Sequence, residues 1–235
     1  MAPATATTVK VARLIRPLCA YPVARPYFLC YFRGVKYVST VAFAALAFAG
    51  CASGTKQSTG QSPTANTYRV VLDTTKGPVT VEVDRSLAPN GAQRFYELVK
   101  AKYFDGARFY RVVPGFVVQW GAAADPAVTK KWDVTIPDDP VKTSNLPGTV
   151  AFAATGQPNS RTTHLFINLG NNARLDAMGF APIGRVVGGM KAVEHIYAGY
   201  GEHPDQNLIG SRGNAYLNKS FPRLDYIESA HVAGR

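Results

Sequence analysis

Few of the 235 residues carry side chains that usually do covalent or metal chemistry. The cysteines Cys19, Cys30 and Cys51 all lie in the first 51 positions, so the long remainder has no thiol nucleophile. Three cysteines also exclude a four-cysteine zinc cluster or a disulfide-dense scaffold. The histidines are His164, His195, His203 and His231. Glu194-His195 and Glu202-His203 invite a metal reading, but their spacing matches no ligand pattern, and solvated surface pairs fit better. No G-x-x-x-x-G-K-[ST], helix-opening G-x-G-x-x-G or H-E-x-x-H occurs, which argues against those phosphate cradles and zinc sites. Asn218-Lys219-Ser220 has the form of a glycosylation acceptor, a triplet common by chance.

One stretch sets polar heads beside apolar surface. In ARFYRVVPGFVVQWG, Ala107 to Gly121, a strand puts Phe109, Arg111 and Val113 on one side. Pro114-Gly115 supplies a turn, and Phe116-Val117-Val118-Gln119 returns. A guanidinium and an amide then sit next to apolar side chains. Pattern alone favours an ordinary hairpin whose Arg head reaches solvent.

The elements that must position these groups read mostly as strands. Tyr68–Asp73 is a short β-rich run and Val79–Asp84 alternates in period two, with Lys-Gly-Pro turn chemistry between them in Thr74–Pro78, the pattern of a hairpin. A helix opens near Pro89-Asn90-Gly91, with Asn90 as its cap and Ala92, Phe95, Leu98 and Val99 on its buried face. Further strands are expected at Ala107–Val113, Phe116–Trp120, Thr149–Ala153, Leu165–Leu169 and Ile183–Val187, with a short last one at Leu224–Ile227. A second helix is expected at Met190–Ala198, ended by Gly199. Many short strands with two helices predict a mainly β fold, a closed or nearly closed antiparallel barrel, and not a parallel sheet.

Three blocks in this order resemble the cyclophilin-type peptidyl-prolyl cis-trans isomerases. They are Phe109-Tyr110-Arg111-Val112-Val113-Pro114-Gly115-Phe116 with Gln119, then GTVAFAATGQPNSRTTHLFINL (Gly148 to Leu169), then RLDAMGFAPIGRVVGGM (Arg174 to Met190). The resemblance runs from about Tyr68 to Ile227 and implies a closed eight-stranded antiparallel barrel capped by two α-helices. It implies rotation of Xaa-Pro bonds in peptides and unfolded clients, by a monomer that needs no cofactor or metal. Arg111 matches the catalytic donor. Phe116, Val117, Phe166 and Leu175 match the proline pocket, with Phe180 near a position where the family often has His. Gln119 matches a donor to the substrate backbone, and Ala154 the position whose main chain holds the peptide. His164 stands where Gln is usual, and Arg174 where many members have Trp; a positive charge at Arg174 would favour acidic peptides. The competing reading is a low-turnover, cyclophilin-like binding module or holdase.

Charge is unevenly placed. Lys10, Arg13, Arg16, Arg25, Arg33 and Lys36 meet no acidic residue in positions 1–50, which therefore hold more than half of the net +11. From Thr67 onward 19 basic residues face 15 acidic ones, too even and too scattered for a nucleic-acid footprint. Arg33 and Lys36 precede the apolar run Val41–Gly50, which is shorter than a spanning helix and ends at Cys51. Ala49-Gly50-Cys51 resembles a bacterial lipoprotein signal, although Phe48 stands where Leu is usual. It implies lipidation at Cys51 and export to the outer side of a membrane; an ordinary signal or an uncleaved anchor helix is the rival. Residues 1–34 read as an over-extended start, with an Arg-rich transit peptide as the alternative. Positions 51–67, rich in Ser, Thr, Gly and Gln, read as a flexible tether, and 68–235 as the isomerase domain.

Overall fold

The computed structural model describes residues 66–234. The leader, the apolar run, Cys51 and nearly all of the tether lie outside them. Among the described residues no helix is long and apolar enough to cross a membrane.

Strand β1 (Thr67–Thr74) turns at Thr75-Lys76 into β2 (Gly77–Asp84), with Thr74 facing Gly77. Period-two alternation sends Tyr68, Val70 and Leu72 of β1 and Val79, Val81 and Val83 of β2 into the core. Helix α1 (Pro89–Lys100) buries Ala92, Phe95, Leu98 and Val99, the expected stripe. Then follow β3 (Arg111–Val113), β4 (Val117–Trp120), α2 (Pro126–Trp132), β5 (Thr149–Phe152), β6 (Leu165–Asn168), a 3-10 turn (Ala173–Leu175) and β7 (Pro182–Gly188). Helix α3 (Met190–Glu194), α4 (Gln206–Ser220) and β8 (Ile227–Val232) complete the order.

All eight strands join one antiparallel sheet in the order β3-β4-β6-β5-β7-β2-β1-β8. The fold is mainly β, as expected, but the sheet is a curled half-barrel and not a closed barrel. Its end strands β3 and β8 share no ladder. The isolated bridge Arg108–Tyr226, neighbouring main-chain bonds such as Phe109 N–H to Asp225 O at 3.0 Å, and the Arg108 guanidinium donating to Leu224 O at 2.8 Å connect the two ends. The cause lies in residues 107–110, expected as strand but mostly irregular. Phe109 leaves the expected face and packs in the core against Trp120, ring centroids 6.0 Å apart. The last strand also falls later than the Leu224–Ile227 run.

The helices differ from expectation in number and in capping. The second expected helix is shorter, Met190–Glu194, because Ile196 follows as part of a turn. Helices α2 and α4 were not anticipated. Asp125 caps α2 by accepting from Ala127 N–H, with Pro126 in its first turn. Asp205 caps α4 by accepting from Asn207 and Leu208 N–H. Gly213 interrupts α4 at φ 53°, ψ −140°. A Cβ there would lie 2.6 Å from Ala124 O and 2.8 Å from Pro126 Cδ, so this glycine lets α4 lie against the start of α2. Asn90 lies inside α1 and does not cap it. The carboxylate of Asp139, distant in sequence, accepts from Asn90 N–H at 3.0 Å and Gly91 N–H at 2.9 Å. Arg161 pairs with the same carboxylate at 3.1 Å, and both side chains are buried.

Strands β4, β5 and β6 are covered on both faces. Val118, Trp120, Val150, Phe152, Leu165 and Ile167 face the main core. The alternate residues Val117, Ala151 and Phe166 join Leu175 in a separate apolar cluster on the other face, with Phe116 and Phe180 packed against it. A third cluster, Tyr110, Ala122, Ile209, Leu217 and Leu224, fixes α4 to the barrel wall.

Candidate active site

Register builds the site. Arg111 faces Gln119 across β3–β4, Gln119 faces Phe166 across β4–β6, and Phe166 faces Ala151 across β6–β5. These four residues form one row on the outer face, running from a guanidinium through an amide to an aromatic floor. Val117 lies two residues from Gln119 and so shares that face. A cavity of about 500 Å³ opens above the row. Arg111, Phe116, Val117, Gln119, Ala154, His164, Phe166, Leu175 and Phe180 all line it, so the structure brings together every residue expected at the site.

The apolar end is well supported. Phe166 and Phe180 meet edge to face with centroids 5.8 Å apart. The turn that carries Leu175 and leads to Phe180 is held by a buried amide network. Asn145 Nδ2 donates to Asp176 Oδ1 at 2.7 Å and to Phe180 O at 2.8 Å. Asn168 Nδ2 donates to Asn145 Oδ1 at 3.1 Å. Asn172 Nδ2 donates to Asn168 Oδ1 at 2.6 Å and to Phe116 O at 2.9 Å. Ser144 and Asn145 hold the Asp176 carboxyl below the usual carboxylate range by donating to it. Pocket walls from three separate segments are thereby tied together.

The polar end is a chain of hydrogen bonds whose first two links have a direction that the chemistry fixes. Arginine only donates, so the Gln119 atom that meets Arg111 Nη1 at 3.1 Å is its oxygen. Gln119 Nε2 therefore donates to Tyr110 Oη at 2.9 Å. Tyr110 Oη lies 2.7 Å from His164 Nδ1, and donating its single proton there leaves no buried hydroxyl hydrogen unpaired. On that assignment the neutral His164 ring carries its own proton on Nε2. Burial pushes the Tyr110 hydroxyl well up and holds His164 below its ordinary value of 6.5, with the Asp133 carboxylate acting weakly the other way.

Arg111 has three neighbours. Besides Gln119, its guanidinium lies 5.4 Å from the Phe116 ring centroid, and its Nε donates to Glu202 Oε1 at 2.6 Å. Nη2 also meets that oxygen. Arg174 lies over the same Phe116 ring at 4.8 Å. Three contributors escaped the sequence reading. Tyr110 was hidden within an expected strand, although its burial needed a partner for its hydroxyl. Glu202 was assigned to solvent, and Gln206 belongs to the unanticipated α4. The Asp205 cap ahead of Leu208-Ile209 was the available signal for that helix.

Comparison with known proteins agrees with this geometry. Residues 69–209 match the family described as cyclophilin type peptidyl-prolyl cis-trans isomerase/CLD. The chain is 33% identical over 132 residues to peptidyl-prolyl cis-trans isomerase A of Dickeya dadantii, covering 54% of this chain and 70% of that protein. It is 32% identical over 169 residues to a probable peptidyl-prolyl cis-trans isomerase of Brucella abortus, covering 67% and 85% respectively. Among solved structures, a cyclophilin type isomerase of Cryptosporidium parvum superposes with a TM-score of 0.55 at 20% identity, covering 72% of this chain and 99% of that one, a likeness of fold. The same Cryptosporidium protein was also solved in the presence of the dipeptide Ala-Pro. With sheet, groove and sequence in agreement, the chain belongs to the cyclophilin-type peptidyl-prolyl cis-trans isomerases.

Proposed function

We propose that the groove seats the proline ring of an Xaa-Pro segment on Phe116, Val117, Phe166, Leu175 and Phe180, and that Arg111 catalyses rotation of the preceding peptide bond. The uncatalysed rotation crosses roughly 18–20 kcal/mol because amide resonance must break. Broken resonance leaves a lone pair on the proline nitrogen. A fixed guanidinium N–H stabilises that twisted state more than either planar one, as catalysis requires. Gln119, Ala154 and His164 hold the substrate main chain, His164 through its Nε2–H. No covalent intermediate enters this scheme.

The observation that carries the reading is the row Arg111–Gln119–Phe166, which sets a cationic donor at the edge of an apolar pocket. A protease-coupled isomerisation assay on Xaa-Pro peptides tests it. Arg111→Ala is expected to lose about 10²–10³ in kcat, the usual cost of removing one such donor. Equal rates for the two proteins would remove Arg111 from the mechanism. Peptide binding without turnover in either would favour the low-turnover binding module.

We also read the protein as a monomeric, exported lipoprotein anchored through Cys51, working on unfolded clients at the outer side of a membrane. Support comes from the basic flank, the short apolar run and the thiol-free domain beyond it, which suits an oxidising compartment.

A further inference from the structure

Glu202 lies in the α3–α4 loop, and the main chain fixes that loop against β3. Val112 N–H donates to Gly201 O at 3.1 Å, one residue from Arg111 on one side and from Glu202 on the other. Tyr200 packs on Tyr197 and on Phe221, with ring centroids 5.1 Å apart in each case. The backbone that carries Glu202 is thereby held beside Arg111, within reach of its guanidinium.

Its effect follows from counting donors. A guanidinium has five N–H groups. Glu202 Oε1 takes the Nε hydrogen and one from Nη2, and Gln119 takes one from Nη1. One hydrogen on each terminal nitrogen is left over for a substrate. The Phe116 ring, 5.4 Å away, adds a third, face-on contact that restrains the guanidinium plane. An unrestrained arginine carries rotamer entropy that a donor must lose before it can act at one atom.

We propose that Glu202 is a positioning residue for the isomerase reaction: together with Gln119 it clamps the Arg111 guanidinium so that its spare N–H groups are aimed before substrate arrives. The proposal rests on the reading of Arg111 given above. The loop that carries Glu202 lies within the matched region, and Phe221, which packs on Tyr200, lies beyond it.

Because the Glu202 side chain is 60% exposed, the clamp is a modest one, screened by water and salt. Glu202→Ala is expected to lower kcat about five- to tenfold with KM nearly unchanged, since a loosened donor costs the transition state and not the seating of proline. Glu202→Gln keeps an acceptor oxygen and is expected to recover most of that loss. An unchanged or higher kcat in Glu202→Ala, or no recovery in Glu202→Gln, would overturn the proposal. The 15N NMR signal of Arg111 Nε–H supplies a readout independent of turnover. It should be slowly exchanging in the wild type and fast in Glu202→Ala; equal exchange in the two overturns the clamp. A wild type without turnover that shows the exchange difference would count against the isomerase reading and leave the clamp standing.

Discussion

Tyr110→Phe deletes one oxygen and leaves the ring in the third apolar cluster. That oxygen accepts from Gln119 Nε2 at 2.9 Å and donates to His164 Nδ1 at 2.7 Å. At about 0.5–1.5 kcal/mol net for each bond, the loss should be roughly 1–3 kcal/mol of stability at pH 7. A second effect depends on pH. In the folded protein His164 lies below its ordinary value of 6.5, because burial disfavours the imidazolium. The unfolded chain takes up a proton below about 6.5 that the folded one refuses. Wild-type stability should therefore fall as pH drops from that value toward the folded one, by no more than about 1.4 kcal/mol per pH unit for a single proton. The Tyr110 hydroxyl supports the neutral ring by donating to it. Without it the folded value should move up toward the unfolded one, and the slope between pH 5 and 6.5 should flatten. Urea unfolding across pH 5–7.5, compared between the two proteins, measures both effects; background carboxylates cancel in the difference. The 15N shifts of His164 should place the wild-type proton on Nε2. A wild-type proton on Nδ1, or a pH slope untouched by the substitution, would refute the directed chain from Arg111 to His164.

Asp139→Ala would strip a buried partner from Arg161 and two acceptor bonds from the start of α1; about 3–5 kcal/mol is expected, or roughly 6–20 °C in Tm for a domain of this size. A loss under about 1 kcal/mol would show that water or the Asp138 carboxylate, 3.2 Å from Arg161 Nε, compensates the guanidinium. Cys51→Ser in the full chain should abolish incorporation of a labelled fatty acid and release the protein from membranes; an unlabelled, soluble wild type would contradict the lipoprotein reading.

The groove was legible in the sequence because its residues sit in strands with strict alternation. Once Arg111, Gln119 and Phe166 were on strands, period two put Val117 beside them and Val118 in the core. What stayed hidden depended on distant partners. Asp139 caps a helix 48 residues before it, which no local rule can find. Helix α4 carries Gly210 and Gly213 and a weak apolar stripe, so both propensity and periodicity spoke against it. Tertiary contact with α2 overrides them. The open seam was missed for the opposite reason. Residues 107–110 have strand-forming side chains, yet Phe109 is drawn into the core toward Trp120 and the ladder stops short.

The sheet order sets a timetable for folding. Strand β1 lies between β2, its nearest neighbour in sequence, and β8, the last strand of the domain; Ser229 Oγ donates to Asp73 Oδ2 across 156 residues. The first hairpin can form as soon as it is made, but its outer edge stays unpaired until the final strand arrives. Closing so long a loop is slow, and an unpaired edge is a template for other chains. A folding catalyst of this topology is thus itself vulnerable during synthesis, and trimming even the last few residues of β8 should expose β1 to aggregation before it harms the distant groove.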